Sequence, residues 1–222
     1  MKVMILAAGR GERMGNLTKN LPKPLVQVKG KALIEWHLEK LAYAGFRDIV
    51  INICYLSEMI KEFVGDGSKW GLNVIYSEEN PVLETAGGIR NAIPLLSSEP
   101  FLVINADIFS DFNYKKLKSI ILHDTIDGYL VLVKNPKHNQ AGDFSLLENN
   151  FLALEGDILY TFSGIAIYHS RFFNQIELGK KMKLLPLLNS SISKSLIKGE
   201  LFEGIWSDIG TPERLATINN KN

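Results

Sequence analysis

Over its first 130 residues the chain alternates short apolar runs with amphipathic stretches. Val3-Met4-Ile5-Leu6 is continuously apolar, the pattern of a strand buried on both faces of a parallel sheet. Ala32–Ala44 sets Ile34, Leu38, Leu41 and Ala42 on one helical face, and Gly45 stands where a C-cap glycine belongs. Asp48–Ile53, Leu72–Tyr76, Phe101–Asn105 and Gly128–Val133 read as further strands. Helices are predicted at Ser57–Val64 (with Ser57 as cap), Gly88–Leu95 and Tyr114–His123. Strand and helix taking turns in this way predict βαβ units, hence an α/β fold with a mostly parallel central sheet flanked by helices.

The pattern then changes. Residues 134–169 lose helical periodicity and carry two strand-like runs, Phe144–Leu147 and Tyr160–Tyr168, so a small inserted β-rich lobe is expected. A helix is predicted over Leu184–Lys198, a short strand near Leu201–Glu203, and a last helix from Thr211, with Thr as cap and Pro212 in its first turn. The economical reading is a single domain over 1–222, with parts at about 1–133, 134–200 and 201–222.

Composition narrows the function classes. Lys plus Arg is 25 and Asp plus Glu is 24, for a net charge of +1. Such a balance argues against a nucleic-acid partner, which asks for a basic face, yet permits small anionic ligands. Cys54 is the one cysteine, which excludes an internal disulfide or a multi-cysteine metal site; its apolar run predicts a buried, inert thiol. No apolar stretch approaches the roughly 18–20 residues of a membrane helix. Met1–Ala8 runs straight into Gly9-Arg10-Gly11-Glu12-Arg13, the wrong flank for signal cleavage. A cytoplasmic protein with no membrane partner is expected, its oligomeric state left open, a monomer among the options.

Chemistry concentrates in three segments. Leu6–Met14 puts small residues directly after a buried strand, so backbone N–H groups can approach a ligand. It is neither a dinucleotide fingerprint, because position 14 is Met14, nor a Walker loop, because no Gly-Lys-Ser/Thr follows. Lys23, held between Pro22 and Pro24, points its charge in a fixed direction. With Arg13 it describes a polyphosphate site. Asp107 follows the strand Phe101–Asn105, where open α/β sheets bind ligands. A carboxylate facing phosphates implies a hard cation between them, Mg²⁺. Asp208 precedes the last helix. Taken alone, each segment also suits a tight turn or cap. His37, His123, His138 and His169 show no metal or triad spacing.

Together these residues resemble the sugar-1-phosphate nucleotidyltransferase family. Leu6–Met14 matches its L-A-A-G-x-G-x-R-M signature and Pro22-Lys23-Pro24 its P-K-P. Glu84-Thr85-Ala86-Gly87-Gly88, Asn105-Ala106-Asp107 and Trp206-Ser207-Asp208-Ile209-Gly210-Thr211 match later motifs in the right order, over essentially the whole chain. Gly15-Asn16 stands where many relatives have proline, and Ala86 where many have glycine.

The resemblance implies a Rossmann-like, GT-A-like fold with a sugar-binding lobe, and transfer of a nucleotidyl group from an NTP to a sugar 1-phosphate with release of pyrophosphate. UTP and N-acetylmuramic acid 1-phosphate are the implied pair. Thymidylyl or guanylyl transfer to glucose or mannose 1-phosphate is the alternative, and a silent nucleotide or sugar sensor the rival from another class. Carried over, Gly11, Glu12 and Arg13 would wrap the triphosphate, and Lys23 would neutralise the reacting phosphates. Asp107 and Asp208, 101 residues apart, would hold Mg²⁺. Ala7, Ala8, Gly9 and Gly88 would line ribose and base. Asn105 would meet ribose or sugar, and Asp143 and the Thr161–Gly164 turn, with Ser163, would contact the sugar. Lys134, Lys137 and His138 are candidate partners for a carboxylate on the sugar.

Overall fold

The alternation of apolar side chains along each strand decides how the layers form. The computed structural model describes residues 1–96 and 99–220. Its elements begin with β1 (Val3–Leu6), a hairpin of β2 (Gln27–Val28) and β3 (Lys31–Ala32), α1 (Leu33–Tyr43), β4 (Asp48–Ile53) and α2 (Ser57–Val64). There follow β5 (Asn73–Glu78), α3 (Glu84–Leu96), β6 (Phe101–Asn105), β7 (Ile108–Ser110) and β8 (Gly128–Val133). After β9 (Ser145–Leu146) and β10 (Leu152–Ala153) come β11 (Thr161–Tyr168), α4 (Leu184–Ile192), β12 (Ile197–Phe202), β13 (Trp206–Asp208) and α5 (Pro212–Asn219).

Seven strands make one sheet in the order β12-β8-β11-β6-β1-β4-β5. Neighbours are parallel except β11, which runs antiparallel to both β8 and β6. Val3, Ile5, Ile49, Ile51, Leu102 and Ile104 face a core closed by α1 and α2, through Ile34, Leu38, Leu41 and Ile60. Met4, Val50, Phe101 and Val103 face the other way, against Ala86, Ile89 and Ala92 of α3 and Leu188 of α4. Period-two alternation on strands covered by helices on both faces is what makes such runs continuously apolar. A smaller cluster of Met14, Val26, Val28, Leu33, Ile209 and Ile218 joins the Gly-rich loop, the hairpin and α5.

Local details follow residue chemistry. α1 ends in a Schellman motif: Gly45, at φ 80, passes its N–H to Ala42 and the next N–H, of Phe46, reaches Leu41, both at 3.0 Å. Thr211 caps α5 by accepting from the Arg214 N–H at 3.4 Å, with Pro212 next as the sequence predicts.

Several expectations are corrected. Tyr160–Tyr168 belongs to no separate lobe: as β11 it lies inside the main sheet, buried from Ser163 to Tyr168. The helix predicted over Leu184–Lys198 ends at Ile192, Ser195 turns the chain at φ 56, and β12 then pairs with β8; apolar Ile197 at 0 % exposure is worth more in the sheet than in another helical turn. Tyr114–Ser119 is a 3₁₀ segment rather than a helix to His123. Ser57 does not cap α2, since Leu56 occupies the cap position at φ 49. Cys54 is half-buried, not buried, and faces the cleft described below. Positions 221–222 of the predicted C-terminal part lie outside the described residues. Among the described residues no helix is long and apolar enough to cross a membrane.

Candidate active site

The carboxyl ends of β1, β4, β5 and β6 open into a cleft of about 720 Å³, where a doubly wound sheet is expected to bind its ligand. One wall is the turn from Ala7 to Arg13. Buried Met14 anchors it, and the Gly11 carbonyl accepts from the Met14 N–H at 2.8 Å and the Thr18 hydroxyl at 2.9 Å. Gly11 sits at φ +68 with Lys23 Cβ only 3.2 Å from where its own Cβ would be, so the turn and the lysine require glycine here. Arg10, Glu12 and Arg13 are exposed at the rim. The amides of Gly9 and Arg10 meet no acceptor among the described residues, leaving donors for an anion.

Lys23 is 8 % exposed. The turn that carries it is closed by Leu25 N–H to Pro22 O at 2.9 Å and Val26 N–H to Lys23 O at 3.0 Å. Its ammonium is hydrogen-bonded to the Asp107 carboxylate. Asp107 follows β6, and its carbonyl accepts from the Ile209 N–H at 2.8 Å. In the antiparallel pair of β7 and β13, Asp208 stands opposite Ile108. The fold therefore brings the backbones of Asp107 and Asp208 side by side.

Their side chains differ. Asp107 faces the cleft and Lys23. Asp208 faces a second groove of about 460 Å³, floored by Trp206 and Arg214 and walled by Lys134, Lys137 and His138. One Asp208 oxygen is bound to the Arg214 guanidinium. The other, Oδ1, lies 3.0 Å from His138 Nε2, yet that nitrogen is engaged with Arg214 Nη1 at 2.9 Å. Oδ1 is buried without a hydrogen-bond partner. An orphaned, buried carboxylate oxygen is an oxygen donor of the kind a small hard cation such as Mg²⁺ takes. Among the described residues no group of three or more His, Cys, Asp or Glu side chains is placed to hold a metal ion.

Other expected contacts fall elsewhere. Asn105 lines the cleft. Gly164, at φ +80 in β11, would place a Cβ 2.6 Å from Asn105 Nδ2, so it gives Asn105 room rather than lining the cleft itself. Ser163 is 1 % exposed; its Oγ accepts from the Ile165 N–H at 3.2 Å and its carbonyl from Trp206 Nε1 at 2.9 Å. Asp143 is consumed internally, accepting from the Phe162 N–H at 2.8 Å and Asn139 Nδ2 at 3.1 Å. These three shape the backbone around the site. Gly88 is buried within α3, packed against Glu79 and Asn52 instead of the cleft. Ala7 and Ala8 do line the cleft, but the Ala7 N–H is taken by Asn52 Oδ1 at 2.7 Å.

Sequence reasoning missed Asn52, Glu79 and Lys181, all in the cleft wall. Asn52 carried a signal, a lone amide in the apolar strand Asp48–Ile53. Lys181 carried none, since its place depends on Met182, whose carbonyl accepts from Ala86 and Gly87 at 3.0 and 3.1 Å and docks that segment on the start of α3. Behind β7, His37 is pushed down to about 4 by burial and the nearby Lys40 charge, with Nδ1 3.0 Å from the Tyr114 hydroxyl.

The Nucleotidyl transferase family profile matches residues 2–150. The N-acetylmuramate alpha-1-phosphate uridylyltransferase of Neisseria meningitidis serogroup B is 47% identical over 220 residues, covering 97% of this chain and 95% of that protein. The mannose-1-phosphate guanylyltransferase catalytic subunit beta of Drosophila melanogaster is 30% identical, over 97% of this chain and 61% of its own length. A putative glucose-1-phosphate thymidylyltransferase from Bacillus anthracis shares the fold at TM-score 0.85 and 19% identity, over 100% of this chain and 96% of that one. With the family profile matched over residues 2–150 and a relative 47% identical over 97% of the chain, the chain belongs to the nucleotidyl transferase family.

Proposed function

We propose that the protein transfers a uridylyl group from UTP to a sugar 1-phosphate, with N-acetylmuramic acid α-1-phosphate as the preferred sugar, yielding a UDP-sugar and pyrophosphate. The observation that carries this reading is the pairing of Lys23 with Asp107 in a cleft walled by a backbone turn whose Gly9 and Arg10 amides meet no acceptor among the described residues, with the Asp208 backbone alongside. The 47% relative supports the choice of base and sugar. A nucleoside triphosphate and a soluble sugar phosphate are substrates in keeping with a cytoplasmic location and with peptidoglycan recycling.

The chemical problem is the approach of one anion to another. A sugar-phosphate oxygen attacks the α-phosphorus, the bond from that phosphorus to the β-phosphate oxygen breaks, and pyrophosphate leaves with the electron pair. No proton need move and no covalent nucleophile is required, so positioning and charge neutralisation supply the catalysis. The amides of Gly9, Arg10 and Gly11 and the Arg13 guanidinium hold the triphosphate. Lys23, fixed by its turn, balances charge where the two phosphates meet. Mg²⁺ held by Asp107 and Asp208 would supply a further positive charge at the α-phosphate. Asn105 orients ribose or sugar. Lys137, which lines the groove that Asp208 faces, would receive a carboxylate of the sugar, whereas Lys134 is paired to Glu203 at 2.7 Å and His138 Nε2 lies against Arg214 and Asp208.

The test is pyrophosphate release with UTP, dTTP, GTP and CTP, each against N-acetylmuramic acid, N-acetylglucosamine, glucose and mannose 1-phosphates. Release confined to UTP with the muramic acid derivative, abolished by EDTA and restored by Mg²⁺, is expected. Equal rates with dTTP and glucose 1-phosphate would overturn the assignment.

A further inference from the structure

Two buried polar residues connect the walls of the nucleotide cleft. Asn52, at the end of β4, is 3 % exposed, and Glu79, just after β5, is 4 % exposed. Asn52 Oδ1 accepts from the Ala7 N–H at 2.7 Å. That bond fixes the orientation of the amide, and Nδ2 then donates to Glu79 Oε1 at 2.6 Å. Glu79 Oε2 accepts from the Leu83 N–H at 2.8 Å. The chain of bonds runs from the phosphate turn, through the end of β4, to the segment that opens α3.

Donation converges on Glu79 from both ends of this chain. Both Glu79 oxygens act as acceptors, and among the described residues the carboxylate has no ion-pair partner. A carboxylate buried without a cation is costly unless its geometry is satisfied. Gly88 makes room for it: a Cβ there would run into Glu79 Oε1 and stand 3.0 Å from Asn52 Nδ2. Three separate segments are thereby held for one arrangement. Two of them, Ala7–Arg13 and the stretch 80–85 (except Leu83), line the cleft.

We infer that Asn52 and Glu79 are positioning residues that set the spacing of these two walls and, through it, the affinity for the nucleoside triphosphate. Neither lines the groove of Lys137 and His138, where the proposed function puts the sugar, so their effect should fall on the nucleotide. The inference rests on the assignment of this cleft to the nucleotide.

The bonding pattern supplies a polarity-swap test. In Asn52→Asp the donor to Glu79 is lost and two carboxylates meet. In Glu79→Gln one acceptor is lost, although size is unchanged. The double variant N52D/E79Q restores the chain with the charge moved. A carboxylate at position 52 then accepts from Ala7 and from the new amide at position 79, whose oxygen accepts from Leu83. Hydrogen bonds to a charged group are worth about 1.5–3 kcal/mol, so each single variant should raise the KM for UTP by roughly 10- to 150-fold. The KM for the sugar phosphate should stay within about twofold, and the double variant should recover most of the loss. Gly88→Ala, pressing on Glu79 from the other side, should give the same KM split in a chain with native charges, which keeps the test open if a single variant fails to fold. A parallel rise of both KM values, unchanged UTP KM in the single variants, or a double variant no better than either single would overturn the inference. Titration of the wild-type protein with UTP is the separate control: absence of binding there refutes the nucleotide assignment itself.

Discussion

Replacing Lys23 by alanine separates the energetics of folding from those of the reaction. The Lys23 side chain is 10 % exposed and Asp107 is 32 % exposed, so after truncation the carboxylate can regain water. Breaking a fully buried ion pair costs about 3–5 kcal/mol and an exposed pair about 0.2–1 kcal/mol. This pair falls between, at about 2 kcal/mol, with a Tm lowered by roughly 4–8 °C for a chain of this size. Against a total stability of about 5–15 kcal/mol, the variant remains almost wholly folded at 25 °C. The rate is another matter. Losing one preorganised donor aimed at developing charge costs about 10²–10³ in kcat, or about 2.7–4 kcal/mol in the barrier. A continuous pyrophosphate-release assay at saturating UTP and sugar phosphate, run beside a thermal melt, reads both quantities on one preparation. A kcat within tenfold of wild type in a folded Lys23→Ala protein would refute the role given to this lysine. So would a rate loss fully explained by unfolding.

Three other outcomes follow from the geometry. Gly164→Ala puts a methyl at a positive φ against Asn105; it should destabilise by about 1–3 kcal/mol in urea unfolding and raise the KM of the substrate that Asn105 contacts. Trp206→Phe removes the donor to the Ser163 carbonyl and should cost about 1–3 kcal/mol, read by chemical denaturation, because that acceptor is left unpaired. His37, neutral in the fold with its pKa lowered from 6.5 to about 4, contributes stability that is present above pH 6.5 and lost as pH falls toward 4, at up to about 1 kcal/mol per pH unit. His37→Gln should flatten that dependence in unfolding titrations at pH 7, 6 and 5, and an unchanged slope would refute the assignment.

How much was legible in the sequence depended on the range of the interaction that decides each element. Val3–Leu6, Asp48–Ile53, Phe101–Asn105 and Gly128–Val133 are strands at the predicted boundaries, because burial on both faces makes the pattern local and continuous. Lys23 and Asp107 were legible from proline flanks and a strand end, and the structure pairs them. The segment Thr161–Tyr168 was readable as a strand but not as a central one, since nothing local states that it will insert between β6 and β8. Likewise Ile197 continued a helical pattern until the free edge of β8 offered it a strand partner. Asp143 and Gly88 were visible within motifs, but their work is done on neighbours, Phe162 and Glu79, that only the fold brings near.

The pairing of β13 with β7 has a consequence for the timing of synthesis. Asp107 leaves the ribosome 101 residues ahead of Asp208, an interval of about 5–20 s at about 5–20 residues per second. During that interval β1, β4 and β6 can already assemble, since their residues are all in place by Asn105. The nascent domain therefore acquires the strands that end at the cleft well before it acquires Asp208. Under the proposed function competence is thus conferred late, by a short ribbon near the end of the sequence, after β8, β11 and β12 have completed the main sheet.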